Sequence, residues 1–142
     1  NESRMRMGGN RALVDPSPPL KVVLIEDSVL LRQSMSAVLG ELAGVQVVGG
    51  AEDEYSAIEL LQRQQPDLAI LDLQLRTGSG LGVLQAISQA PDRFGHPRAV
   101  VFSNHDRPVV RERCFALGVE RFFDKATQMD DLLAYVREAM PS

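Results

Sequence analysis

From Lys21 onward, short continuous apolar runs alternate with stretches of helical periodicity, and few folds accept that pattern. Lys21–Glu26, Val45–Val48, Leu68–Asp72, Arg98–Ser103 and Arg121–Asp124 each read as a short strand buried on both faces. Ser28 is a good N-cap for a helix carrying Leu31, Met35, Val38, Leu39 and Leu42 on one face, with Gly44 as its C-terminal glycine. A second helix spans about Glu54–Gln64, with Ile58 and Leu61 inward, and Pro66-Asp67 turns the chain into the third strand. Thr77-Gly78-Ser79-Gly80 leads to a third helix with Leu81, Leu84 and Ile87. Pro108–Leu117 presents Val110, Cys114 and Leu117, with Gly118 as its cap, and Met129–Met140 presents Leu132, Leu133, Val136 and Met140. Right-handed crossovers between parallel strands place helices on either side of the sheet. The expected fold is therefore α/β: a five-stranded parallel sheet with five helices on two faces.

Size and charge narrow the function. At 142 residues the chain reads as one folded domain over residues 21–142, able to bury about two-thirds of its unfolded surface. Residues 1–20 differ: a polar, Gly-containing start and Asp15-Pro16-Ser17-Pro18-Pro19 suit neither helix nor ladder. They read as a flexible leader or an expression remnant. No run reaches the roughly 20 apolar residues of a membrane helix, and a single cysteine, Cys114, fits a reducing cytoplasm. A net charge of −4 and few aromatics argue against direct nucleic-acid binding.

The strand ends carry the chemistry. Val22-Val23-Leu24-Ile25 ends in Glu26-Asp27, Leu68–Leu71 ends in Asp72, and Phe122-Phe123-Asp124 ends in Lys125. In open parallel sheets the ligand site lies beyond the carboxyl ends of the strands, where strand order reverses. Carboxylates gathered there repel one another, and a divalent metal is the simplest offset. Only Lys21 and Lys125 are lysines in a chain that otherwise uses arginine. A compact ammonium at a strand end suits a single phosphoryl oxygen better than a forked guanidinium does.

These residues, with Ser103 at the end of Val100-Val101-Phe102-Ser103, are those by which Lys21–Met140 resembles the receiver domain of bacterial two-component response regulators, the chemotaxis regulator among them. The resemblance implies a flavodoxin-like sheet in the order 2-1-3-4-5. It implies phosphorelay signal transduction with Asp72 as phosphoacceptor, charged from a histidine kinase or a phosphotransfer protein. Mg²⁺ is the implied cofactor, held by Asp27, Asp72 and the Gln74 backbone carbonyl, with Glu26 acting through metal-bound water. Lys125 and Ser103 would engage the phosphoryl oxygens. Ser103 and Phe122 would form the switch, Ser103 moving inward on phosphorylation and the ring turning toward the core. Gln74 and His105, two residues beyond Asp72 and Ser103, would line the path of hydrolytic water. The output would be a protein target or a C-terminal output domain, and a homodimer on phosphorylation is allowed.

Departures from the family are specific. Phe122 replaces the usual Tyr, Arg76 stands where Pro is frequent, and Ala126 follows the lysine in place of Pro. Two other functions compete. A degenerate receiver would act as a phosphorylation-independent interaction module, and an aspartyl-phosphate phosphatase would want a second acid two residues after the nucleophile, where Gln74 stands. The domain is thus expected to signal rather than to act as an enzyme, beyond its own phosphorylation and dephosphorylation. Gly78-Ser79-Gly80-Leu81-Gly82 lacks dinucleotide-binding spacing and reads as a turn and helix start. Glu52-Asp53-Glu54 reads as a solvated cluster near a helix N-terminus, Cys114 as packing and His96 as exposed.

Overall fold

The computed structural model describes residues 18–140. Its elements are β1 (Leu20–Ile25), α1 (Val29–Gly40), β2 (Val45–Ala51), α2 (Glu54–Gln64), β3 (Leu68–Leu71), α3 (Gly80–Gln89), a 3₁₀ turn (Pro91–Phe94), β4 (Arg98–Ser103), α4 (Pro108–Ala116), β5 (Arg121–Asp124) and α5 (Met129–Ala139). The leader assigned to residues 1–20 lies, as far as residue 17, outside the described residues, and Leu20 already belongs to β1.

The strands form one parallel sheet in the order β2-β1-β3-β4-β5. Order reverses between β1 and β3, where Ile25 pairs with Leu71. Both strands are apolar to their last residue, so the first polar groups, Glu26 and Asp72, emerge side by side beyond the pairing. Two cores flank the sheet. Val23, Ile25, Ala69, Leu71, Val101 and Phe122 face α2, α3 and α4, whereas Val22, Leu24, Ile70, Val100, Phe102 and Phe123 face α1 and α5. The adjacent phenylalanines thus point to opposite faces, as strand periodicity requires.

Local chemistry explains the boundaries. Ser28 caps α1 by accepting from the Leu31 N–H at 3.2 Å. The helix stops at Gly40, earlier than Gly44 suggested, because Gly44 at φ +82° makes the turn into β2. Val38, expected on the apolar face, is exposed, and Met35 and Leu39 carry the burial. β2 runs on through Gly49-Gly50 to Ala51, because β1 offers partners as far as Ile25. A register shift opposite Val22/Val23 accommodates the extra residue. The 3₁₀ turn between α3 and β4 buries Phe94 completely.

Candidate functional site

The carboxyl ends of four strands build the site. Glu26 and Asp27 follow β1, Asp72 follows β3, Ser103 ends β4, and Lys125 follows β5. All converge on the carboxyl edge. Asp72 is the hub: Oδ1 accepts from the Ser103 hydroxyl at 2.6 Å and from the Gln74 N–H at 3.2 Å. Oδ2 accepts from Lys125 Nζ at 2.5 Å, and the same ammonium reaches Glu26 Oε1 at 2.7 Å. Lys125 therefore bridges the ends of the first and third strands from its place after the fifth.

Burial makes these contacts strong. Ser103 is fully buried, and Glu26 and Asp72 are 4% and 6% exposed. Burial pushes the Glu26 carboxyl above its usual range, although hydrogen bonds from Lys125 and from the Ser28 N–H work in the opposite sense. Burial alone would lower the Lys125 pKa. Hydrogen bonds and charges from Asp72 and Glu26 outweigh that, so the ammonium is held above its ordinary value.

The donor set fits a small hard cation. Glu26, Asp27 and Asp72 each bring a carboxylate oxygen within 4.8 Å of the others. The three carboxylates outnumber the Lys125 ammonium that contacts Glu26 and Asp72, an excess of acid that a divalent cation would offset. All the donors are oxygens, and the exposed Asp27 leaves one side open to water. Mg²⁺ keeps several waters and takes one or two carboxylates, which suits such a half-open shell.

The remaining assigned residues sit around this core. His105 is half-buried, and its backbone N–H donates to Ser103 Oγ at 3.1 Å, whereas Gln74 is exposed. Ser103 and Phe122 both already point inward. Phe122 is buried, and the Arg111 guanidinium of α4 stacks over its ring at 4.5 Å. Arg76 is exposed, with a weak contact to Glu52 at 3.6 Å. Cys114 is buried in the core, where desolvation raises its thiol pKa, and His96 is exposed beside Asp92. The helix residue Arg32 also belongs here: its guanidinium donates to the Glu26 carbonyl at 2.5 Å, and the Ser28 N–H donates to Glu26 Oε2 at 2.9 Å. Ser28 reads in sequence only as a helix cap, and Arg32, one turn further on, carries the phase that would have revealed it. The Glu52–Glu54 trio is half-buried rather than solvated, and Asp53 caps α2 through the Ser56 N–H at 2.8 Å.

Residues 22–137 match the family model described as the response regulator receiver domain. The chain belongs to that family. Its receiver fold has close solved counterparts: the signal receiver domain of NarL from Mycobacterium tuberculosis superposes with a TM-score of 0.77 at 26% identity, over 86% of this chain and 96% of that one. The response regulator domain of Thermotoga maritima CheB shares the fold, with a TM-score of 0.75 at 20% identity over 86% of this chain and 96% of that one. Among curated relatives, the nitrate/nitrite response regulator NarL of Escherichia coli is 29% identical over 85% of this chain and 55% of its own length. A protein-glutamate methylesterase/protein-glutamine glutaminase of Anaeromyxobacter dehalogenans is 38% identical over 49% of this chain and 19% of its own length. The receiver thus spans between about a fifth and just under two-thirds of the length of these and similar curated relatives. It is a signalling domain of two-component systems, and among its described residues no helix is long and apolar enough to cross a membrane.

Proposed function

We propose that this receiver takes a phosphoryl group onto Asp72 from the phosphohistidine of a histidine kinase or phosphotransfer protein in the cytoplasm. The observation that carries the reading is the treatment of one carboxylate: Ser103 and Lys125 hold the oxygens of Asp72 from two sides, beside two further acids. An Asp72 oxygen attacks phosphorus and the P–N bond breaks with its electron pair going to the ring nitrogen; the imidazole, already protonated on its other nitrogen, leaves neutral, giving an acyl phosphate. Lys125 donates to the transferring oxygens, so charge that develops there meets a fixed cation. Ser103 passes its hydroxyl from Asp72 Oδ1 to a phosphoryl oxygen. Glu26, Asp27, Asp72 and the Gln74 carbonyl would hold Mg²⁺, which when bound neutralises phosphoryl charge. Gln74 and His105 border the path of the water that later hydrolyses the acyl phosphate.

Output would pass through α4, β5 and α5 to a downstream protein target, an output domain or a second copy. Phe122 has no hydroxyl, so its packing under Arg111 replaces a polar latch. Val109 and Phe115 are exposed on α4 and would enlarge the apolar part of that face.

Acetyl phosphate with Mg²⁺ supplies the test. The protein should gain the mass of one phosphoryl group, and Asp72→Asn should fold normally and gain none. Continued labelling of the variant would place the acceptor elsewhere. An unlabelled parent would point instead to a degenerate receiver that works by binding alone.

A further inference from the structure

Glu54 opens α2, but its carboxylate serves α3. Oε1 accepts from the N–H of Ser79 at 2.9 Å, and Ser79 is the N-cap of α3, accepting in turn from the Gly82 N–H at 3.1 Å. A Cβ on Gly82 would lie 2.3 Å from Glu54 Oε1 and 2.4 Å from Oε2. One on Gly78, at φ +73°, would lie 2.6 Å from Oε1. The glycines that resemble a phosphate cradle are thus a socket for a carboxylate of the chain itself. Glycine at position 82 runs against helix propensity. The space taken by Glu54 explains it, and the positive end of α3 favours the charge.

The socket is tied to the acceptor. Arg76 N donates to Glu52 O at 3.0 Å and Glu54 N to Thr77 O at 3.1 Å, lacing the start of α2 to the loop after β3. Ser79 pairs with Gln74 across an antiparallel bridge, and Gly80 N donates to Leu73 O at 2.9 Å. The Gln74 N–H then donates to Asp72 Oδ1. A continuous path runs from Glu54 through Ser79 and Gln74 to Asp72.

We infer that Glu54 is a positioning residue for the acceptor site, fixing the Gln74 backbone and through it the affinity for Mg²⁺, although it is not one of the clustered acids. The inference rests on the site reading above, in which the Gln74 carbonyl faces the metal. Removing a supporting contact of this kind costs metal affinity about tenfold or more.

The experiment is a mutant cycle read by Mg²⁺ titration, following backbone amide shifts, alongside thermal unfolding. Glu54→Ala and Gly82→Ala should each weaken Mg²⁺ binding about tenfold. The double variant should bind no more weakly than Glu54→Ala alone, because the carboxylate that the new methyl displaces is already gone. Gly82→Ala should lower the unfolding midpoint when Glu54 is present and raise it when Glu54 is absent. Glu54→Gln keeps an acceptor oxygen and should recover most of the affinity. Asp53→Ala removes the cap of α2 and should lower the midpoint while leaving Mg²⁺ affinity at the parent value. Parent-like affinity in Glu54→Ala, or additive losses in the double variant, would overturn the role of Glu54 alone. A parent that shows no Mg²⁺ response would overturn the site reading and this inference with it. Should Glu54→Ala fail to fold, parent-like Mg²⁺ binding in Gly82→Ala would overturn the inference and weakened binding would sustain it.

Discussion

Ser103 shows how much one hydroxyl carries here. Fully buried, it donates to the buried Asp72 Oδ1 and accepts from the N–H of the half-buried His105. Ser103→Ala takes a hydrogen bond from a buried carboxylate oxygen, which costs about 1–3 kcal/mol. The urea midpoint should fall accordingly with an unchanged slope, and labelling by acetyl phosphate should slow. Ser103→Thr keeps the hydroxyl and should recover the labelling rate. Lys125 is exacting in another way, since it spans two carboxylates at 2.5 and 2.7 Å with one ammonium. Donors on a planar guanidinium point along fixed directions and match a single carboxylate better than two divergent ones.

Elements place these residues by ending where they do, and Gly80 shows how tightly. A Cβ there would sit 2.2 Å from the Asp72 carbonyl oxygen and 2.9 Å from Leu73 Cα. The first residue of α3 therefore lies directly against the backbone of Asp72 and Leu73. Gly80→Ala should cost about 1–3 kcal/mol by overpacking. It should also impair phosphoryl uptake, seen as a lower melting temperature together with slower labelling. Little of this is legible in sequence. The strands and the acids after β1 and β3 are, because burial on both faces leaves a continuous apolar run that gives way to a carboxylate at its carboxyl end. α2, β4 and β5 begin and end where their periodicity and caps indicate. What escapes sequence reading is contact between distant segments. Gly80 reads as a helix start whether or not a carbonyl lies behind it, and Gly82 reads as flexible until Glu54 is seen in its space. Phe94 likewise falls in a segment with no period to betray its burial.

At the scale of the molecule, the two edges of the sheet are held by opposite means. The carboxyl edge gathers Glu26, Asp27 and Asp72 beside Lys125, with Asp27 exposed to solvent. The amino edge is closed by a staple: Arg98 at the start of β4 donates to Glu120 at 3.1 Å, to the Tyr135 hydroxyl at 3.2 Å and to the Ala139 carbonyl at 3.4 Å. Tyr135 donates its own proton to Glu120, and its ring packs edge-on against Phe123 at 5.9 Å, so the staple ties α5 to the core on the α1 and α5 face of the sheet. Burial, with the Glu120 carboxylate beside it, pushes the Tyr135 hydroxyl up to about 12. The folded protein thus prefers the neutral phenol over a wider range than the unfolded chain does. The stability this contributes is complete below the ordinary tyrosine value of 10.0 and is lost as pH rises from there toward about 12. Tyr135→Phe gives up two hydrogen bonds, one from Arg98 and one to Glu120, about 2 kcal/mol at neutral pH, but has no phenol at this position to ionise. Its stability should fall less steeply above pH 10, and the gap between parent and variant should narrow with alkalinity. Urea unfolding at neutral pH and at two alkaline values measures that gap. A gap that stays constant or widens would mean that the phenol does not hold its proton in the staple as the geometry requires.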